Sequence, residues 1–175
     1  MRTIEKMAIA ITLLAAQAPV LAGDPRVEQV PIVVTISAAL ESELANAYGL
    51  EEREALRGYV AESLTRAIGR SIAARAAAHG LSVEVVLDDA RPTHPTRRQL
   101  ADDPSIDFLS SVSLGGAALT GAVRSADGRV LARVAYRHFA PDLASVSPAA
   151  SAWADARVAI EGFAVEVAAK LAAAA

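Results

Sequence analysis

The stretch from Asp107 to Phe139, DFLSSVSLGGAALTGAVRSADGRVLARVAYRHF, constrains this chain more than any other. At its centre, Ser125-Ala126-Asp127-Gly128 carries the Asp-Gly pair that supplies the positive-φ residues of tight hairpin turns, with β-rich sequence on both sides. One long β-hairpin is therefore predicted over the whole stretch. In its return arm Val130, Ala132, Val134 and Tyr136 share one face, and Arg129, Leu131, Arg133, Ala135 and Arg137 share the other. In its first arm Val112 and Leu114 are out of step with Ala117, Leu119 and Val123, so a bulge at Gly115-Gly116 is expected to restore a common face. The glycine pair lacks the Lys-Ser/Thr of a P-loop and the third Gly of a dinucleotide fingerprint, which favours the bulge over a phosphate cradle.

A hairpin with one apolar face must be covered, and two helical patterns are available to cover it. From Leu50 to His79, Leu56, Val60, Leu64, Ile68 and Ile72 form an apolar stripe at steps of three and four. Glu51, Glu52 and Glu54 stand in the first turns, with Arg66, Arg70 and Arg75 towards the end and Gly80 as the stop, a distribution that matches the helix dipole. The second pattern, Ala149 to about Ala173, places Trp153, Ala156, Ile160, Phe163, Val167 and Leu171 on one stripe behind Ser147 as N-cap and Pro148 as the first helical residue. Trp153 is read as a core anchor.

Two further strands complete the pattern. Val30 to Ser37 is rich in β-branched residues, and Pro31 suits it to a sheet edge. Leu81 to Asp89 alternates Leu81, Val83, Val85 and Leu87 against Ser82, Glu84, Val86 and Asp88. A shorter helical segment, Ser37 to Tyr48, precedes the long helix and ends at Gly49. A strand, a helical crossover and another strand make a βαβ unit with the two strands parallel. The predicted class is α+β: a mixed sheet of about four strands, β-α-β-β-β-α, with two long helices packed on one face.

Arg2 and Lys6, followed by the apolar run Met7 to Ala22 ending in Val20-Leu21-Ala22, predict a secretory signal peptide over 1–22 with cleavage after Ala22, then a flexible arm over 23–29 and one α+β domain over 30–175. The apolar run is shorter than the roughly 20 residues that span a bilayer, so no transmembrane span is expected after cleavage. Cleavage leaves 15 Lys+Arg against 19 Asp+Glu, and this acidic balance argues against nucleic acid as a partner. The expected location is periplasmic or secreted. There is no cysteine, which excludes disulfides, thiolate metal sites, a cysteine nucleophile and a lipobox anchor. The three histidines, His79, His94 and His138, have no second histidine at ligand spacing, and Gly-x-Ser-x-Gly and His-Glu-x-x-His are both absent. No metal, cofactor or catalytic residue is assigned. The pairs Asp88-Asp89 and Asp102-Asp103 read as turn and capping residues.

Function is then sought at the surface. Ala90 to Ile106, ARPTHPTRRQLADDPSI, reads as a long proline-stiffened connection, of a length that is uncommon within a domain and often functional. Together with the hairpin arginines it nominates a partner-binding surface of Arg91, His94, Arg97, Arg98, Arg129, Arg133 and Arg137, suited to a protein or an anionic envelope component. The alternative for the arginine row is ordinary cross-strand pairing with carboxylates such as Glu84 and Asp88. Two other readings stay open: a small hydrolase using His94 or His138 with a nearby acid such as Asp142, and a homodimer through an apolar strip of Val33, Val86 and Leu131.

The segments Asp88 to Leu100, Ser113 to Gly121 and Ala126 to Val130, in the order signal peptide, strand, long helix, strand, hairpin and closing helix, resemble small uncharacterised bacterial envelope proteins, loosely like the N-terminal domain of the Tol-system periplasmic protein TolB. The resemblance covers most of Val30 to Leu171 and implies an exported, non-enzymatic binding or structural accessory domain with a helix-covered sheet. The lipoprotein members of that group carry a cysteine after the signal, which this chain lacks.

Overall fold

The computed structural model describes residues 30–175. The predicted signal peptide and arm lie outside the described residues. The elements run β1 (Ile32–Ile36), α1 (Ala38–Glu43), a π turn over Leu44–Tyr48, α2 (Glu51–Ala78), β2 (Ser82–Arg91), α3 (Arg97–Asp102), β3 (Gly116–Arg124), β4 (Val130–Phe139), a short 3-10 turn over Leu143–Ser145, and α4 (Ala154–Ala174). Four strands form one sheet in the order β1-β2-β3-β4, with β1 parallel to β2 and the other two pairs antiparallel. The chain is α+β, a mixed four-stranded sheet with two long helices, as its pattern predicts.

The hairpin turn forms where Asp127-Gly128 places it. Gly128 has φ 82° and donates to the Ser125 carbonyl at 2.8 Å, while Ser125 N–H donates to Arg129 O at 3.0 Å. The positive φ is the reason glycine is needed there. From this turn the inward alternation runs through Val134 on β4 and through Ala117, Leu119 and Val123 on β3, all buried. The buried row Val83, Val85 and Leu87 on β2 continues the same face.

Helix α2 lays Leu56, Val60, Leu64 and Ile68 into the core, and α4 does the same with Ala156, Ile160, Phe163, Val167 and Leu171. Each fully buried Leu, Ile or Phe contributes about 1.5–3 kcal/mol relative to exposure, so these two stripes hold the helices on the sheet. The close approach of α4 to the sheet depends on glycine: a side chain at Gly121 would meet the Phe163 ring at 2.8 Å. Helix α2 is interrupted at Gly69 (φ 59°, ψ 170°), a break that the uninterrupted stripe in the sequence does not announce. It ends at Gly80, as expected.

The first hairpin arm is shorter than predicted. Asp107 to Gly115 is turn and coil, and the strand begins at Gly116. Asp107 Oδ1 accepts from the N–H groups of Leu109 and Ser110, and Ser113 turns away to donate to Thr93 O through its N–H and to Pro92 O through its hydroxyl. These side-chain and loop bonds offer the backbone an alternative to the ladder. The glycine pair is consequently not a bulge. Gly115 lies against the Thr93 hydroxyl with no room for a side chain, and Gly116 opens the strand. The register shifts fall elsewhere, between Leu87 and Asp89 on β2 and between Val123 and Arg124 on β3.

Helix α4 also starts later than predicted, at Ala154 rather than Ala149. Ser147 does not cap it. Its N–H is taken at 2.8 Å by Asp155 Oδ1, which holds residues 147–153 in a turn across the helix end. Trp153 is buried as expected; it meets Tyr48 edge-to-face with centroids 5.6 Å apart, and its Nε1 donates to Glu52 Oε2 at 2.8 Å. One of the three glutamates assigned to the α2 dipole thus also anchors α4.

Candidate functional site

With both long helices on one face, the other face of the sheet carries no helix among the described residues. Its residues follow from the strand register. Val33, Glu84, Ala122 and Arg133 lie side by side across the four strands, and Thr35, Val86, Thr120 and Ala135 form the next row. Glu84, Val86, Thr120, Ala122, Arg124 and Arg133 together line a shallow depression of about 180 Å³ on this face. Val33 is 54% exposed and Leu131 40% exposed. The centre of the face is small and flat, because alanine and threonine dominate it.

Charge is distributed unevenly over this face. Arg124 Nε donates to Glu84 Oε2 at 2.6 Å, so the carboxylate expected to pair with the β4 arginines pairs with β3 instead. Strand order is the reason: β3 separates β2 from β4, leaving about 9.6 Å between their axes. Among the described residues Arg129, Arg133 and Arg137 have no ion pair. Arg133 and Arg137 are four residues apart on one strand, which sets them about 13 Å apart. At the far end of β4, Phe139 is flanked by two guanidinium groups, Arg137 at 4.4 Å and Arg91 at 5.3 Å from the ring centroid. Each such contact is worth about 0.5–1 kcal/mol at an exposed site. Arg91 also approaches Asp89 at 3.7 Å. Arg129 stands beside the hairpin turn, where its N–H donates to Asp127 Oδ1.

The structure does not gather the other nominated residues onto this face. Arg97 and Arg98 are exposed on α3, which is capped by a reciprocal box between Thr96 and Gln99. Arg98 donates to the Ala45 carbonyl at 3.2 Å and pairs with Asp102 at 3.4 Å, so it ties α3 to the π turn. His94 corrects the expectation most sharply. It is 8% exposed, stacks on Phe108 at 5.0 Å between centroids, and its Nδ1 faces the Phe108 carbonyl at 3.0 Å. Pro92, His94, Pro95, Gln99, Ile106 and Val112 line a second depression of about 220 Å³ beside it. Among the described residues no carboxylate or hydroxyl side chain hydrogen-bonds His94 or His138, and Asp142 is engaged with Ser145. No group of three or more His, Asp or Glu among the described residues is placed to hold a metal ion. No helix among them is long and apolar enough to cross a membrane.

Behind the proline-rich segment lies a polar node that sequence reasoning missed. Asp155, 3% exposed, accepts from the Thr93 hydroxyl at 2.9 Å through Oδ2 and from Ser147 N–H through Oδ1, while its own N–H donates to Thr93 Oγ1 at 3.0 Å. Thr93 N–H donates to Ala152 O at 2.6 Å. A signal for the node was present: Asp155 sits on the apolar stripe of α4, one turn before Ala159, where an unpaired carboxylate would be costly. Nothing marked Thr93 as its partner, because the two are 62 residues apart. The expected long loop is therefore a tethered one, docked on the start of α4.

No protein-family model, no curated protein and no solved structure matches this chain.

Proposed function

We propose that the protein is an exported, non-enzymatic binding or structural accessory domain of the bacterial cell envelope, and that it recognises its partner through the helix-free face of the sheet. The observation that carries this reading is the exposed row of Arg133 and Arg137 on that face, next to small residues and continued by Arg91 around Phe139. Cations held on a rigid strand beside exposed apolar residues suit recognition of a protein or anionic envelope component. The basic start and the apolar run Met7 to Ala22 support export.

The test compares capture of envelope components by the wild type, Arg133→Ala/Arg137→Ala and Arg97→Ala/Arg98→Ala, read by mass spectrometry. Capture should be lost with the first pair and retained with the second. Capture that survives loss of Arg133 and Arg137, or turnover of a substrate by the purified wild type, would overturn the reading.

A further inference from the structure

We infer that the partner of the helix-free face is a second copy of this chain, paired face to face about a two-fold axis parallel to the strands. This rests on the reading that this face is the recognition surface, and it adds the identity of the partner. A two-fold axis in that direction reverses the order of the strands and preserves height along them. Each cross-strand row therefore meets its own reverse. In the row Val33, Glu84, Ala122, Arg133, Glu84 of one copy comes to lie over Ala122 of the other, where the short side chain leaves room. Arg133 lies over Val33 and beside Glu84 of the other copy, one strand spacing away. The contact is repeated by symmetry, so two Arg133–Glu84 pairs form across the interface.

Glu84 can make both contacts. Arg124 occupies Oε2, and Oε1 has no hydrogen-bond partner among the described residues. The second row, Thr35, Val86, Thr120, Ala135, sets Val86 over Thr120 and Ala135 over Thr35, small against small or β-branched, which lets two sheets approach at the usual spacing of about 10 Å. A two-fold axis perpendicular to the strands is disfavoured by the same residues. It would lay β4 on β4 and set the arginine row against itself.

The closing experiment is a charge swap read by analytical ultracentrifugation of the protein as isolated. Wild type should show a monomer–dimer equilibrium. Arg133→Glu and Glu84→Arg should each weaken it by roughly ten-fold or more, because each homodimer then carries two like-charge contacts. Mixed together, the two variants should form a heterodimer, in which both contacts are again of opposite sign. Recovery in the mixture also excludes misfolding as the cause of the single-variant losses. A wild type that stays monomeric up to about 1 mM, the weak end of the affinity scale, overturns the inference, as does a dimer indifferent to both substitutions. If the wild type is monomeric but Arg133→Ala/Arg137→Ala still abolishes capture of an envelope component, the self-pairing is wrong and the recognition face stands. If capture is unaffected as well, both fall.

Discussion

Replacing Asp155 with alanine tests whether the proline-rich segment is held by one buried carboxylate. The side chain accepts two hydrogen bonds, from the Thr93 hydroxyl and from Ser147 N–H, at 2.9 and 2.8 Å. Bonds to a charged acceptor contribute about 1.5–3 kcal/mol each, and a carboxylate in the first turn of α4 adds about 0.3–1 kcal/mol through the helix dipole. Because Ser147 is half-exposed and can take a water in exchange, the lower end applies, and Asp155→Ala should cost about 3–4 kcal/mol. For a chain of this size that is a fall of roughly 6–16 °C in Tm. Urea unfolding followed by far-UV circular dichroism and by Trp153 fluorescence measures it. Thr93→Val alone should be destabilising, and the double variant should lose about 1–2 kcal/mol less than the sum, since both singles break the same contact. A loss below about 0.5 kcal/mol for Asp155→Ala, or strict additivity with Thr93→Val, would refute the node as the tether.

The remaining predictions concern the sheet, the turns and α3. Gly121→Val should cost about 1–3 kcal/mol by overpacking against Phe163, seen as a lower urea midpoint with an unchanged slope. Asp103, Asp107, Asp127 and Asp142 should titrate below the ordinary carboxylate range by NMR, because hydrogen bonds from Ser105, Ser110, Ser125 and Ser145 respectively favour their charged forms. Their folded pKa values are lowered, so their contribution to stability is complete above the unfolded value of about 3.9 and is lost as pH falls below it. Flat stability from about pH 5 down to 2 would contradict this. Arg97→Ala/Arg98→Ala should leave Tm within about 2 °C of wild type, since both side chains are exposed and Arg98 makes only a surface ion pair and one bond to a carbonyl; a larger fall would make α3 an essential clamp on the π turn.

Much of the architecture was legible because its causes are local. Asp127-Gly128 determines a turn by its own backbone preferences, and the stripes of α2 and α4 are repeated within a few residues. The parallel pairing of β1 and β2 followed from the helical crossover between them, which an antiparallel hairpin would not need. Two of the misreadings come from hydrogen bonds that the periodicity does not show. Asp107 to Gly115 alternates like a strand, and Ser147-Pro148 resembles a helix start, but Ser113 bonds to Thr93 and Pro92, Asp107 accepts from its neighbours Leu109 and Ser110, and Ser147 N–H goes to Asp155 in the first turn of α4. His94 looked like a surface ligand in a polar loop, and the fold stacks it on Phe108.

The candidate surface was legible residue by residue and illegible as a surface. Alternation along β4 placed Arg133 and Arg137 on the face opposite Val134, and the sequence alone determined that much, together with the strand count, the two covering helices and the turn between β3 and β4; Arg129, expected in the same row, lies outside the strand, beyond a register shift that breaks the alternation at that end. Strand order was decided only by the tertiary structure. It put β3 between Glu84 and the β4 arginines, gave that carboxylate to Arg124, and separated Arg97 and Arg98 from the row, while one sheet face carries no helix among the described residues. Turn chemistry and periodicity act over a few residues, where the chain carries its own instructions. Which strands become neighbours, and which face stays open, depends on how the apolar stripes of elements far apart in the chain pack together.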